Sequence, residues 1–311
     1  MTRVAAVDLG TNATRLLVAD VEGARVEEVA RRLELTRLGE GVDERRRLLP
    51  VPIARVRNVL AGYRRVAEEL GAERVLAVAT SSVREADNGE AFLGEIEWSY
   101  GFETLLLSGD EEAALTVRGV SVGRELRGGV LVLDVGGGST ELVEPGDGFG
   151  VSLELGCVRL TERFGEDVGG LRRAIAAFLA ERVPDEVAAR VDTVVGVAGT
   201  VATLAALHLG LASADIEAVD GVVVPLDAVE HQLARLAALP VEERARIPGV
   251  APGRGPVIVA GIAIVAEVLR RVGVDRVEAS RRDLLDGAAL AAAELPARAE
   301  GDAPPGAFTC C

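Results

Sequence analysis

Two short segments set the terms for any fold of this 311-residue chain. Around Asp8 it reads Val-Asp-Leu-Gly-Thr-Asn-Ala-Thr-Arg-Leu, and around Asp134 it reads Leu-Asp-Val-Gly-Gly-Gly-Ser-Thr-Glu-Leu. Asp8, Gly10, Thr14 and Leu16 match Asp134, Gly136, Thr140 and Leu142 at one constant offset. Internal similarity of this kind implies two related halves. In each half an apolar run (Val4 to Val7; Val130 to Leu133) ends in Asp-x-Gly, and a second apolar run follows (Leu16 to Ala19; Leu142 to Val143). That is the pattern of a β-hairpin whose turn carries the Asp, the glycines and the hydroxyls. Such a turn presents backbone N–H groups to an anion, and the Asp at the strand end suits a hydrated divalent cation. The same residue types also populate ordinary tight turns.

The rest of each half alternates strands with helices. In the first half the pattern predicts a third strand (25 to 38), a helix (51 to 70), a strand (74 to 79), a helix (88 to 100), a strand (103 to 107) and a helix (110 to 120). The helix over 51 to 70 carries Val56, Leu60, Tyr63, Ala67 and Leu70 at amphipathic spacing. In the second half the hairpin strands run to about Gly156. A helix near 172 to 181, a strand (193 to 197), a helix (201 to 209) and a strand (218 to 224) follow, then a long helix (256 to 272), a strand (276 to 279) and a final helix (283 to 295). An antiparallel start followed by strand–helix alternation describes an α/β half with a mixed sheet. The expected division is a first domain over 1–124, a second over 125–296 whose last helix could pack back on the first, and a flexible tail over 297–311.

Composition narrows the chemistry. The net charge is −15, and the aromatics amount to six Phe, two Tyr and one Trp. Such a surface repels nucleic-acid backbones and anionic lipid, and it lacks the stacking platforms of single-strand binders. Neither nucleic acid nor a membrane is an expected partner. All 34 basic residues are Arg. Without Lys, Schiff-base chemistry and a Walker-type phosphate loop are excluded. Two His, His208 and His231, and three Cys, Cys157, Cys310 and Cys311, argue against a zinc centre and a Ser/His/Asp triad. His208 reads as a core or boundary residue, and His231 as exposed. One internal Cys means no disulfide framework, and no signal peptide precedes Asp8, so a cytoplasmic location is expected. The uncharged stretch from Thr193 to Ala214 is broken by Gly196 and Gly199 and reads as buried strand, turn and helix instead of a membrane span.

Five segments together carry a resemblance. They are residues 7 to 16, Ala-Thr-Ser-Ser-Val-Arg-Glu-Ala-Asp-Asn (79 to 88), Ser-Gly-Asp-Glu-Glu-Ala (108 to 113), Asp-Val-Gly-Gly-Gly-Ser-Thr-Glu-Leu (134 to 142) and Gly-Val-Ala-Gly-Thr (196 to 200). In this order, over nearly the whole length, the chain resembles the exopolyphosphatase and guanosine pentaphosphate phosphohydrolase family. That family lies within the superfamily of actin, heat-shock-70 chaperones and sugar kinases. The resemblance implies two ribonuclease-H-like domains, each a mixed sheet flanked by helices, with an interdomain cleft. It implies hydrolysis of the terminal phosphate of inorganic polyphosphate, with guanosine pentaphosphate as the alternative substrate. A kinase of the same superfamily or an actin-like nucleotide-binding protein remains a further alternative, and a homodimer is the expected assembly. The larger family members carry additional C-terminal domains, which weighs against processive work on very long polymers here.

The resemblance makes Glu112 the general base toward water. Glu111 and Glu112 would equally suit a helix N-terminus, which favours carboxylates. Glu141 stands where the first half has Arg15, so Arg15 reads as a phosphate contact and Glu141 as a metal or water ligand; both would also serve as solvent-facing strand residues. Phosphate binding is expected from the turns at Gly10, Thr11 and Asn12 and at Gly136, Gly137, Gly138, Ser139 and Thr140. Ser81 and Arg84 follow a strand end, where a planar donor fork beside hydroxyls suits phosphoryl oxygens. Gly199 and Thr200 form a strand-to-helix turn, another N–H anion site. Arg254 matches a family arginine near the substrate path, or is a loop residue. Asp8, Asp134 and Glu141 offer oxygen ligands only, which favours Mg²⁺ or Mn²⁺.

Overall fold

The computed structural model describes residues 1–146, 148–213, 217–251 and 253–296. The tail, with Cys310 and Cys311, lies outside the described residues. Two units separate by their internal contacts, one formed by Met1–Arg124 and the chain from Leu284 onward, the other by Glu125–Asp283.

The first unit is built on a five-stranded sheet of order β3-β2-β1-β4-β5. Strands β1 (Thr2–Leu9), β2 (Thr14–Glu22) and β3 (Arg25–Glu34) form an antiparallel meander, while β4 (Arg74–Ala79) and β5 (Glu103–Leu106) add in parallel beside β1. Between and after them come α1 (Val42–Arg45), α2 (Pro50–Glu69), α3 (Ser81–Arg84), α4 (Gly89–Tyr100) and α5 (Gly109–Val120). The period of two along a strand sorts the core. Ala5, Val7 and Leu9 pack with Val56, Leu60 and Tyr63 of α2 and with Phe92 and Ile96 of α4. Val4 and Ala6 belong to the opposite face. The third strand stops at Glu34, earlier than expected, because the next residues turn onto the β1–β2 connection: Arg37, with φ 50°, donates its N–H to the carbonyl of Asn12, and Gly39 donates to that of Thr11.

The second unit repeats the plan in a six-stranded sheet of order β10-β11-β9-β6-β7-β8. Strands β6 (Val130–Val135), β7 (Thr140–Val143) and β8 (Gly150–Leu153) form the meander, followed by α6 (Cys157–Phe164), α7 (Val168–Arg182) and α8 (Asp185–Ala188). The chain continues through β9 (Thr193–Val197), α9 (Ala198–Leu209), β10 (Val223–Pro225), α10 (Leu226–Ala237), α11 (Val241–Arg244), α12 (Ile258–Val272) and β11 (Arg276–Ala279). The strand expected over 218–224 is reduced to β10, since Gly221 turns at φ 72° and Pro225 ends the pairing. Helix α10, with Val229, Leu233 and Leu236 buried, takes up the residues beyond it. His208, in the last turn of α9, is exposed, which corrects the core reading; the buried stripe of that helix runs through Leu204 and Leu207 instead. His231 is exposed as expected.

The final helix, α13 (Leu284–Glu294), groups with the first unit, and the second unit ends at Asp283. Its Leu285, Ala288 and Ala289 join Val4, Ala6, Leu17 and Val78 in one apolar cluster. Gly287 lies so close to α5 that an added Cβ would fall 1.9 Å from the Leu115 carbonyl oxygen. Among the described residues no helix is long and apolar enough to cross a membrane.

Candidate active site

Both hairpin turns close with the same bond. Gly10 N–H donates to the Ala13 carbonyl at 3.0 Å, and Gly136 N–H donates to the Ser139 carbonyl at 3.0 Å. At both glycines an added Cβ would stand 2.9 Å from that same carbonyl oxygen, so only Gly fits without a shift. The turn carbonyls are then claimed by neighbouring chain. In the first unit Thr11 and Asn12 accept from the loop of Arg37 and Gly39. In the second, Gly136 accepts from Cys157 N–H, Gly137 from Val158 N–H, and Gly138 from the Nε of the buried Arg159. Pinning a turn's carbonyls to one side directs its N–H groups to the other, where they can receive an anion.

The equivalent threonines brace these turns. The Thr14 hydroxyl meets that of Thr36 at 2.8 Å, and the Thr140 hydroxyl donates to the Leu155 carbonyl. Thr140 therefore supports its turn through its side chain. Tyr63 donates its phenol to the Thr14 carbonyl at 2.9 Å, and burial holds that phenol well above its ordinary pKa.

The acidic residues are placed by register. Asp8 faces Arg15 across β1–β2, and Arg15 Nε donates to Asp8 Oδ2 at 2.8 Å. Asp134 faces Glu141 across β6–β7, so the second hairpin sets two buried carboxylates side by side where the first has an ion pair. Like charges in that position repel unless something neutralises them. Ser152 donates to Glu141 Oε1 at 2.7 Å and fixes its orientation. A pair of hard oxygen donors suits Mg²⁺ or Mn²⁺, which commonly rests on one or two carboxylates with water and phosphate completing its shell. Among the described residues no group of three or more candidate metal ligands is present.

Helix α5 separates its two neighbouring acids. Ser108 and Glu111 form a capping box: Ser108 Oγ accepts from Glu111 N–H, and Glu111 Oε2 accepts from Ser108 N–H at 2.8 Å. Those bonds, the backbone one foremost, lower the Glu111 pKa. Glu112 instead turns inward to 6% exposure, and Arg84 Nη1 donates to its Oε2 at 3.1 Å while also reaching the Leu107 carbonyl at 2.6 Å. Arg84 follows directly from β4 through α3, so the sheet edge sets the pair. Ser81 donates to Glu85 Oε1 at 2.8 Å, across to the C-cap residue of its own short helix.

In the second unit Ala198, with φ 63°, makes the strained turn from β9 into α9. The absence of a side chain at Gly199 admits the Arg254 guanidinium, whose Nη2 lies 1.7 Å from where a Cβ would stand. Thr200 is buried with its side chain against Gly261 of α12, which leaves its backbone N–H as the group able to meet an anion. Burial pushes the Cys157 thiol up to about 11, against the opposing pull of the Arg254 charge. Gly39, Gly156 and Arg159 hold the turns yet are not singled out by sequence reading. For the two glycines the only sequence signal is a glycine standing where the chain leaves a predicted strand; Arg159, inside α6, carries none.

The model of the Ppx/GppA phosphatase family matches residues 17–293. Exopolyphosphatase 2 of Mycobacterium tuberculosis is 37% identical, over 94% of this chain and 99% of its own length. A guanosine-5′-triphosphate,3′-diphosphate pyrophosphatase of Aeromonas hydrophila is 29% identical over 91% of this chain, which spans 58% of that protein. Among solved structures, an exopolyphosphatase-like protein aligns with a TM-score of 0.86 at 32% identity, covering 93% of this chain and 97% of its own. A Ppx/GppA family member from Aquifex aeolicus aligns at 0.78 and 31%, covering 94% and 97%. On the extent of these matches, this two-unit, ribonuclease-H-like chain belongs to the Ppx/GppA phosphatase family.

Proposed function

We propose that this protein is a phosphoric anhydride hydrolase that removes the terminal phosphate of inorganic polyphosphate, with Glu112 as general base. The observation that carries the reading is the Arg84–Glu112 pair: a carboxylate nearly sealed from solvent, anchored through one oxygen at 3.1 Å and so held in a single orientation. A base that removes a proton from attacking water needs that fixed aim. In the first unit the N–H groups of Gly10 to Asn12 and the guanidinium of Arg15 receive phosphoryl oxygens. In the second the turn from Gly136 to Thr140, the start of α9 and Arg254 do the same. Asp134 and Glu141 would hold Mg²⁺ or Mn²⁺, which when bound neutralises charge that develops on the phosphoryl group. Polyphosphate is preferred to guanosine pentaphosphate because the relative named an exopolyphosphatase shares more identity and nearly its full length with this chain.

The test is phosphate release from polyphosphates of defined length, with guanosine pentaphosphate run in parallel. Release from polyphosphate, lost in EDTA and restored by Mg²⁺, is expected. Release only from guanosine pentaphosphate would reassign the substrate, and full activity in EDTA would reject the metal assignment.

A further inference from the structure

We infer that Ser82, with the side-chain amide of Asn12, forms an oxyanion contact for the substrate in the first unit, a role the neighbouring Ser81 does not fill. The inference rests on the polyphosphate reading above and names a residue within the same site. The two serines at the start of α3 look interchangeable in sequence, but the structure treats them differently. Ser81 Oγ is engaged by Glu85 at 2.8 Å. Ser82 is 3% exposed, and among the described residues its Oγ has no hydrogen-bond partner. Asn12 is 9% exposed, and its Nδ2 is in the same condition.

These orphan donors belong to one locality. Gly39 is wedged between the two segments that carry them: an added Cβ there would lie 2.2 Å from Thr11 Cγ2 and 3.0 Å from Ser82 Cβ. The backbone of Asn12 cannot swing away, because its carbonyl accepts from Arg37 N–H at 2.9 Å and the adjoining Thr11 carbonyl from Gly39 N–H at 2.8 Å. Buried donors without an acceptor are uncommon in folded proteins and point to a partner that arrives with the ligand. A non-bridging phosphoryl oxygen meets the need, since one anionic oxygen accepts from a hydroxyl and an amide N–H together.

Ser82→Ala separates this role from a structural one. A hydroxyl that supports the fold would lower the melting temperature when removed; an orphan hydroxyl would leave it unchanged or raise it. We expect the second result, accompanied by a rise of about 10- to 100-fold in KM for polyphosphate and a matching loss of inhibition by inorganic phosphate, as befits a hydrogen bond to a charged group. Asn12→Ala should act in the same direction. The double variant should fall short of the product of the two effects, because the two donors share one acceptor. Parent-like KM and phosphate inhibition in Ser82→Ala would overturn the inference, as would a lowered melting temperature without a kinetic change. If the parent releases no phosphate from polyphosphate, the substrate reading fails. Calorimetric binding of inorganic phosphate to parent and Ser82→Ala then decides the contact on its own, equal affinities overturning it.

Discussion

Arg84 and Glu112 touch at 3.1 Å, so replacing either side chain tests what the other does. Glu112→Gln keeps the size and one hydrogen-bond acceptor but no longer takes a proton, and kcat for polyphosphate should fall about 10²- to 10⁴-fold with KM little changed. Turnover near that of the parent would remove Glu112 from the chemistry. Glu111→Gln is the natural comparison: it weakens the helix cap and should be read as a small drop in melting temperature with turnover kept. Arg84→Lys retains the charge but replaces the Nη1 that reaches both Glu112 and the Leu107 carbonyl with an ammonium of different reach and geometry, so kcat should drop measurably without loss of fold. At this scale the sequence was readable where chemistry is local. Asp8, Gly10, Asp134 and Gly136 announce their turns by residue type alone. It was silent where local phase decides: nothing in Glu111-Glu112 says which carboxylate faces inward, and nothing in Ser81-Ser82 says which of the two buried hydroxyls finds a partner in the chain.

At the level of elements, the turn of the second hairpin depends on the start of α6. Gly156 sits so tightly against it that an added Cβ would lie 2.1 Å from the Gly137 oxygen and 2.3 Å from the Gly138 carbonyl carbon. Gly156→Ala should therefore displace α6 or the turn and lower activity strongly, with stability reduced by about 1 to 3 kcal/mol in chemical denaturation. A parent-like activity would show that the turn tolerates its neighbour's movement. This contact explains what was hard to read beforehand. Strands β4 and β11 have the bounds that the sequence pattern predicts, since they alternate with helices and are flanked by turn residues. Helices α6 and α10 carry no separate signal in the sequence, because each follows a strand end so closely that its apolar positions merge with the preceding segment. The third strand is shorter than expected for a related reason: Arg37 adopts a left-handed backbone that residue type does not favour, held by its bonds to Asn12 and Glu40.

For the molecule as a whole, the buried thiol of Cys157 supplies a titration. Burial raises its pKa from 9.0 to about 11, so the folded chain keeps this proton more tightly than the unfolded chain. The resulting stability is fully present below pH 9 and is lost as the pH rises toward 11, an amount of roughly 2 to 3 kcal/mol. Urea midpoints measured across that window should fall more steeply for the parent than for Cys157→Ala, and parallel slopes would contradict the assignment. A different consequence follows from α13. The first unit takes its last helix from the end of the chain, with the whole second unit inserted between its parts. During synthesis the ribosome delivers Met1–Arg124 first, yet the sheet face of Val4, Ala6, Leu17 and Val78 stays uncovered until Leu285 and Ala288 emerge. The segment made first is thus the unit finished last, and until then its exposed face is the place where chaperones or stray partners would attach.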